Sequence, residues 1–232
     1  MSEPAANPGK NLVIHTDFGD YARYPLKTHV IMDGDDLYKI MDDYVKPWYK
    51  EGDTVIISEK IVAISQGRAF PVSEIKISWL AKFLCRFVTK TDAGIGIGSP
   101  ATMELCIRAV GVPKILFAAV VAGVGKLFGQ RGLFYKICGP AARAIDGPCD
   151  YTLPPYNTYA KMAPDKPNLV ASNLSKHLGG NDVVVIDAND LGVNVLGKSR
   201  SDLLDAFCEQ VFKDNPLGQM SEQTPIALVR KA

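Results

Sequence analysis

The chain has 232 residues, of which 47% are hydrophobic and 22% are charged, and 26 basic residues against 25 acidic ones leave a net charge of +1. This length fits one large domain or two smaller ones. The composition is typical of a globular protein and excludes a disordered, collagen-like or disulfide-dense chain. Because the net charge is close to zero, no broad field would attract nucleic acid or anionic lipid. We therefore expect neither nucleic acid nor a membrane as a partner.

The apolar segments and the first residues indicate a cytoplasmic protein. The longest apolar run, residues 115–125, is too short for a membrane-spanning helix. The first ten residues contain an acidic residue and two prolines but no apolar core of a secretory signal. We interpret them as part of a flexible arm and expect the protein to be cytoplasmic.

The cysteines and histidines do not form a metal-binding pattern. Five cysteines and three histidines are scattered along the chain, with no C-x-x-C pair. We expect reduced cysteines that mostly pack as small apolar side chains. Cys149, between Asp146 and Asp150, leaves a cysteine-based hydrolase open as an alternative.

The predicted elements alternate between short strands and helices. In chain order they are a strand at 11–15, a helix at 37–45, strands at 54–58 and 61–64, helices at 77–88 and 99–111, buried strands and tight turns over 115–138, a loop-rich segment over 140–167, a helix at 168–178, a strand at 183–186, a helix at 201–212 and a strand at 225–229. Apolar residues at helical spacing predict the helices, and β-branched residues predict the strands. The mixture predicts an α+β fold of short strands and helices.

Local sequence signals support some of these elements and leave others open. Acidic Asp35 and Asp36 favour a helix N-terminus before residue 37, and Ser99-Pro100 places proline at a first helical position. Trp48 and Trp79 are predicted to be core residues.

Two acidic positions are candidates for binding a hard cation. Asp187 directly follows the apolar run 183–186, and a carboxylate at a strand end is able to hold such an ion. Asp146 lies with Asp150 on a loop bent by glycine and proline. Taken locally, the sequence favours solvated turns over a cation site at both positions. Lys60 lies among β-branched residues, either as an outward-facing charge or aimed at an anion.

Several segments form an ordered set along the chain. They are Tyr24-Pro25-Leu26-Lys27, Gly34-Asp35-Asp36-Leu37, the run 52–62 with Glu59-Lys60, Gln66-Gly67-Arg68, Ile145-Asp146, the strand ending in Asp187, and a tail with Gly218-Gln219, Glu222 and residues 225–230. This set resembles the coenzyme F-420 gamma-glutamyl ligase family. The resemblance runs from Tyr24 to the end of the chain.

The resemblance implies a fold, an assembly and an activity. It implies an intertwined homodimer with an α+β fold, in which residues 1–22 are a flexible arm with the first strand. Residues 23–232 would form the ligase-like domain, undivided or built from two interlocked subdomains. The implied reaction joins L-glutamate, through its amine, to a carboxylic acid. It uses GTP and Mg²⁺ or Mn²⁺, and the acid is first converted to an acyl phosphate, since a carboxylate is a poor electrophile.

The resemblance also implies the site residues. Asp146, Asp187 and Gln219 would be metal ligands, and the two aspartates would be the catalytic carboxylates. The residues along the nucleotide would be Tyr24, Pro25, Leu26, Lys27, Glu59, Lys60 and Gln219. Asp187 is preferred to Asp190, since it directly ends the strand.

Several positions depart from the family's pattern. Ile64 stands where the family has a second lysine, Cys149 where it has asparagine, and Ala188 where it has threonine. The arginines that the family carries after this point are absent from Gly192-Val193-Asn194-Val195. Charge-assisted contacts of roughly 1.5–3 kcal/mol each would be lost. The alternative to a ligase is therefore a non-catalytic relative that binds a small ligand or a partner protein. Sequence leaves open the acceptor acid and the choice between GTP and ATP.

Overall fold

The computed structural model describes residues 4–88, 96–189, 192–218 and 220–232. The chain separates into two compact units, Met1–Gly67 with Pro164–Ala232, and Arg68–Ala163. We call the first the sheet unit and the second the helical unit.

The strands and helices are given in chain order. The chain begins in the sheet unit with β1 (Val13–Thr16), β2 (Gly19–Leu26), α1 (Leu37–Ile40, continued by a π-helical turn over Met41–Val45), β3 (Thr54–Ser58) and α2 (Glu59–Ser65). The helical unit follows with β4 (Ala69–Pro71), α3 (Trp79–Leu84, continued by a 3-10 turn over Cys85–Phe87), α4 (Pro100–Val110), α5 (Val112–Leu127), α6 (Leu133–Cys138), α7 (Pro140–Arg143) and β5 (Tyr159–Lys161). The sheet unit is completed by α8 (Pro167–His177), β6 (Val183–Asn189), β7 (Gly192–Lys198), α9 (Asp205–Val211) and β8 (Ile226–Lys231).

The sheet unit is built on a six-stranded sheet in the order β1-β2-β8-β3-β6-β7. Neighbouring strands are antiparallel except β3 and β6, which are parallel. Since β8 is antiparallel to both β2 and β3, the carboxyl ends of β2, β3 and β6 lie at the same edge of the sheet. The amino end of β8 lies at that edge too.

The central strands are apolar because both of their faces are covered. Ile56, Val184 and Ile186 pack in one cluster with Cys208 and Phe212 from the region of α9. Burial raises the pKa of the Cys208 thiol to about 12, so this cysteine is a neutral apolar side chain.

A substitution at Gly197 in β7 would test how closely α8 packs on the sheet. A Cβ atom at this position would lie 2.3 Å from the carbonyl carbon of Pro167, the first residue of α8. Backbone cannot move aside as a flexible side chain does, so we expect Gly197→Ala to destabilise the protein by about 2–3 kcal/mol. The midpoint of urea unfolding measures the effect. Gly123→Ala is the control, because nothing lies within 4 Å of its Cβ position, and an unchanged midpoint for Gly197→Ala would contradict the packing.

The helical unit has its own core. Its fully buried side chains include Met103, Leu105, Cys106 and Ile115. Ser99 and Thr102 form a capping box at the start of α4, with proline at the first helical position as the sequence indicates. Burial, and then the neighbouring Cys138, raise the pKa of Cys106 to about 12.

Glu104 joins α3 to α4 within this unit. Its carboxylate accepts hydrogen bonds from the Ser78 backbone N–H at 3.0 Å and from Arg108 Nε at 3.3 Å. Burial raises the pKa of Glu104, but the hydrogen bonds from Ser78 and the charge of Arg108 outweigh it and leave the pKa below its ordinary value. The carboxylate is therefore ionised at neutral pH and holds the start of α3 against α4.

The α+β mixture is confirmed, but two predicted elements are wrong. Residues 61–64, predicted as a strand, lie in α2, because Ser58 caps a helix whose Ile and Val side chains are buried. Residues 115–138, predicted as buried strands and turns, form α5 and α6. β-branched residues and glycines are weak signals once packing favours a helix.

The structure also adds elements and corrects one core residue. β2 and β7 were not among the predicted strands, and Trp79 is 76% exposed, not a core residue. In the described part of the chain, no single helix is long and apolar enough to cross a membrane. The pair α4 and α5 reaches that length and apolarity only jointly, with a bend of 116° between them.

Candidate functional site at the sheet edge

The sheet brings four of the predicted site residues to one edge. Lys27 follows β2, Glu59 and Lys60 follow β3, and Asp187 lies near the carboxyl end of β6. The register sets Glu59 beside Asp187, since Ser58 pairs with Ile186. It places Lys27 on the other side of β8, since Ile226 of β8 pairs with both Leu26 and Ile57. We call Lys27, Glu59, Lys60 and Asp187 the edge cluster. Neighbouring strands are about 4.8 Å apart. Because β8 lies between β2 and β3, Lys27 is two strands away from Glu59 and Lys60 and three strands away from Asp187.

The segment before β8 closes this edge. The Ser58 N–H donates to the Pro225 carbonyl at 2.8 Å, and the Thr28 N–H donates to the Gln223 carbonyl at 3.1 Å. Residues 223–225, which follow Gln219 in the tail, therefore lie beside the end of β2 and the start of α2, where the edge cluster is. Gln219 itself, like Asp190, lies outside the described residues.

The start of α2 positions Glu59 and Lys60. Ser58 Oγ accepts from the Lys60 N–H at 3.3 Å and so caps the helix. Glu59 is 2% exposed, and Lys60 is half-buried. A carboxylate in the first helical turn is favoured by the helix dipole. Lys60 is thus on a helix, not within a strand as the sequence suggested.

Asp187 lies where β6 leaves the core. It pairs in register with Asn194 of β7 and is half-buried, whereas the four preceding residues are fully buried. Its carboxylate therefore lies at the boundary between the core and solvent, as the sequence predicts for a strand end.

Tyr24, Pro25 and Leu26 lie within β2, and their surroundings differ. Pro25 and Leu26 are buried, whereas Tyr24 is half-buried and its ring lies 5.0 Å from the Arg230 guanidinium carbon. Arg230 donates to both carboxylate oxygens of buried Asp53, at 2.7 and 2.6 Å. This hydrogen bond with Asp53 raises the pKa of Arg230 further. The ion pair between Asp53 and Arg230 thus holds β8 against β3.

Asp146 lies in the helical unit and has a buried lysine as its partner. The backbones of Asp146 and Lys161 exchange hydrogen bonds of 3.1 and 2.9 Å. Lys161 Nζ lies 3.1 Å from Asp146 Oδ2, with the lysine side chain 6% exposed and the aspartate 53% exposed. Lys161 therefore fixes the Asp146 loop and partly neutralises its charge. Nothing in the local sequence around position 161 indicates this pair.

The predicted metal ligands are not brought together within one unit. Asp146 belongs to the helical unit and Asp187 to the sheet unit. Across the described ranges, no group of three His, Cys, Asp or Glu side chains could hold a metal ion. The donor chemistry fits a hard cation, because Mg²⁺ and Mn²⁺ prefer carboxylate and amide oxygens.

The structure shows where the residues that depart from the family pattern lie and how far they are buried. Ile64 lies four residues after Lys60 on the same helix, 3% exposed in the core. Cys149 and Ala188 are half-buried.

A polar cluster near the edge was missed from the sequence. His29 Nδ1 lies 2.9 Å from the Tyr44 hydroxyl, and His29 Nε2 lies 3.0 Å from Asp35 Oδ2. A hydrogen bond from the Met32 backbone N–H, with His29 as a further contributor, lowers the pKa of Asp35. The cluster joins the loop after β2 to the end of α1, and Gly34-Asp35-Asp36 was its only local signal.

Part of this edge lies in a segment that matches a known family. The family model described as F420-0:gamma-glutamyl ligase matches residues 25–112. The predicted resemblance is confirmed over this segment, which runs from β2 to the start of α5 and indicates a function related to gamma-glutamyl ligation. No curated protein matches the chain.

Proposed function

We propose that this relative of the gamma-glutamyl ligases joins L-glutamate, or a similar amine, to a carboxylic acid, with GTP as the phosphoryl donor. The observation that supports the proposal is the edge cluster, two cations and two carboxylates at or just after the carboxyl ends of β2, β3 and β6, on the same edge of one sheet. Three of its four residues, Lys27, Glu59 and Lys60, lie within the segment that matches the family.

The chemistry requires activation of the acid. In the proposed reaction an acceptor carboxylate oxygen attacks the γ-phosphorus of GTP, the bond to GDP breaks, and an acyl phosphate forms. The glutamate amine then attacks the acyl carbon, loses a proton and expels inorganic phosphate. Lys27, which is exposed, and Lys60, which is half-buried, supply positive charge for the phosphate oxygens. Tyr24 would lie along the nucleotide, with Pro25 and Leu26 shaping the strand beneath it.

A divalent cation would complete this site. Asp146, Asp187 and Gln219 would hold Mg²⁺ or Mn²⁺, which are cations that oxygen ligands favour. When bound, such an ion neutralises the charge of the phosphate oxygens. In this arrangement Lys161 holds the Asp146 carboxylate in place through its 3.1 Å contact. We also propose a homodimer as the assembly and the cytoplasm as the location.

Nucleotide binding tests the proposal. We expect Lys27→Ala and Lys60→Ala each to weaken GTP binding in the presence of Mn²⁺ by about tenfold or more, since a charge-assisted hydrogen bond contributes roughly 1.5–3 kcal/mol. Isothermal titration calorimetry measures the effect. Lys50→Ala is the matched control, because Lys50 is exposed just before the opposite end of β3. The proposal is wrong if the unaltered protein binds neither GTP nor ATP, or if all three variants bind alike.

The second candidate function is a non-catalytic relative that binds a small ligand or partner protein. The buried Ile64 favours it, because one phosphate-binding charge of the family is missing. Nucleotide-dependent phosphate release with glutamate and a carboxylic acid, lost on Asp187→Asn, would exclude this alternative.

A further inference from the structure

The two units differ sharply in charge. The helical unit contains 12 basic and 5 acidic residues, a net charge of +7, and the sheet unit contains 14 basic and 20 acidic residues, a net charge of −6. The net charge of +1 therefore conceals a strongly basic unit. Between Glu104 and Asp146 there are six basic residues and no acidic one. All six are exposed: Arg108, Lys114, Lys126, Arg131, Lys136 and Arg143.

Helix α5 presents an apolar face to solvent within this basic stretch. At 3.6 residues per turn, Leu116, Val120, Val124 and Leu127 fall on one stripe, and their exposed fractions are 44%, 66%, 51% and 85%. The opposite side of α5 packs into the core through Ile115 and Ala118. The helix is therefore apolar on both sides, with only its inner side covered by the described structure.

A second exposed apolar row lies on α3 and the turn that follows it. Trp79, Phe83 and Phe87 are 76%, 43% and 64% exposed. Their rings form a ladder with centroids 5.7 and 5.1 Å apart. Lys82 and Arg86 flank the rings and are also exposed. Tryptophan beside basic residues on an apolar helix face is typical of helices that lie at a membrane surface.

We propose that the helical unit binds the surface of an anionic phospholipid bilayer through the exposed faces of α3 and α5. Acyl chains near the head groups would cover the apolar rows, and anionic head groups would pair with exposed lysines and arginines of the same unit. This surface association revises the expectation, drawn from the net charge of the whole chain, that no membrane is a partner.

A bilayer fits these faces better than a second copy of the chain. If two copies met through their helical units, each with a net charge of +7, like charges would approach one another, which is unfavourable. The acidic sheet unit of another copy would supply charge but no matching apolar surface. Its exposed large hydrophobic residues are scattered over separate elements, with Val13 on β1, Tyr38 on α1 and Leu169 on α8.

Vesicle co-sedimentation of the full chain tests the proposal. We expect it to bind vesicles of phosphatidylcholine with 30% phosphatidylglycerol at least tenfold more tightly than vesicles of phosphatidylcholine alone. Binding should weaken at high salt, because head-group attraction is screened. In a Trp48→Phe variant, the fluorescence of Trp79 should shift to shorter wavelength with the anionic vesicles only. Absence of that shift would remove α3 from the contact surface.

Variants that remove either the apolar or the basic side chains test the two parts of the proposed membrane-binding surface separately. Phe117 lies on α5 next to Leu116 and one turn before Val120, and its side chain is 62% exposed. Phe117→Ser with Leu127→Ser should weaken vesicle binding by about tenfold or more, and both side chains are exposed enough for the fold to be retained. Lys126→Glu with Arg131→Glu should weaken it at least as much, since each basic residue contributes about fivefold. Leu169→Ser is the matched control, with a side chain 53% exposed on the sheet unit.

Two results would overturn the inference. One is equal binding of the protein to both kinds of vesicle, or binding to neither. The other is a dimer in analytical ultracentrifugation that Phe117→Ser with Leu127→Ser converts to a monomer, because the α5 face would then be an interface between copies.

Discussion

Replacing Asp187 with asparagine is expected to lower kcat/KM for amide formation by about 100-fold or more. Asp187 is one of the two carboxylates of the edge cluster, and it lies near the end of β6, beside the start of α2. Loss of a group that merely supports a metal ligand typically weakens metal binding or activity by about 10–100-fold. Loss of a ligand itself should have at least that effect. The strand should persist, because its pairing with Asn194 is a backbone register that asparagine preserves.

The measurement is steady-state phosphate release with GTP, glutamate and a carboxylic acid, at several Mn²⁺ concentrations. Asp202→Asn is the control, since Asp202 is a carboxylate of the same unit whose side chain is 67% exposed and paired with Arg200. We expect the control to keep full activity. Equal activity of Asp187→Asn and the unaltered protein would show that the edge of the sheet is not the reaction site.

Asp214→Ala is expected to destabilise the protein by about 2–4 kcal/mol. Its partner Arg23 is fully buried in β2, where its guanidinium donates to both Asp214 carboxylate oxygens and to the Val211 and Asn11 carbonyls. Removing one partner of a buried ion pair leaves an uncompensated charge, which costs about 3–5 kcal/mol. Asp214 is 34% exposed, so water would compensate in part. The midpoint of guanidinium chloride unfolding, at constant slope, measures the change.

Arg23→Met with Asp214→Ala separates charge from packing. Replacement of a buried pair by apolar groups of similar volume is often close to neutral, so we expect the double variant to be more stable than Asp214→Ala alone. If both variants unfold at the same denaturant concentration, the destabilisation does not come from the buried charge of Arg23.

The elements that the sequence predicts best are those whose local signals and packing agree. The helix after Asp36 and the helix that begins at Pro100 have capping residues that the structure uses. The strand that ends near Asp187 is apolar because both of its sides are buried. At these positions local sequence and tertiary contacts favour the same conformation.

The errors arise where tertiary packing decides. Residues 61–64 are β-branched, yet a cap at Ser58 and complete burial make them helical. Residues 115–138 contain glycines that resemble turn signals, although Gly123 and Gly125 lie inside α5. Trp79 was expected in the core because large aromatic residues are usually buried. These outcomes depend on partners that are distant in the sequence.

In the candidate site, too, some residues were predicted from local motifs, whereas other features depend on the fold. Motifs name Lys27, Glu59, Lys60 and Asp187, and the sheet register then brings them to the same edge of the sheet. The partner of Asp146, the buried Lys161, could not be predicted, since it lies 15 residues away on β5. The basic charge of the helical unit was hidden in the sum over the chain, because the boundary between units is a property of the fold.

A crystal structure of the protein grown with GTP and Mn²⁺ tests the site most directly. The anomalous signal of manganese marks the ion without reference to the protein. We predict one manganese position bonded to carboxylate oxygens of Asp146 and Asp187 and to the amide oxygen of Gln219, beside the phosphates of GTP. A manganese ion bound elsewhere, or apolar side chains filling the space between Asp146 and Asp187, would contradict the account.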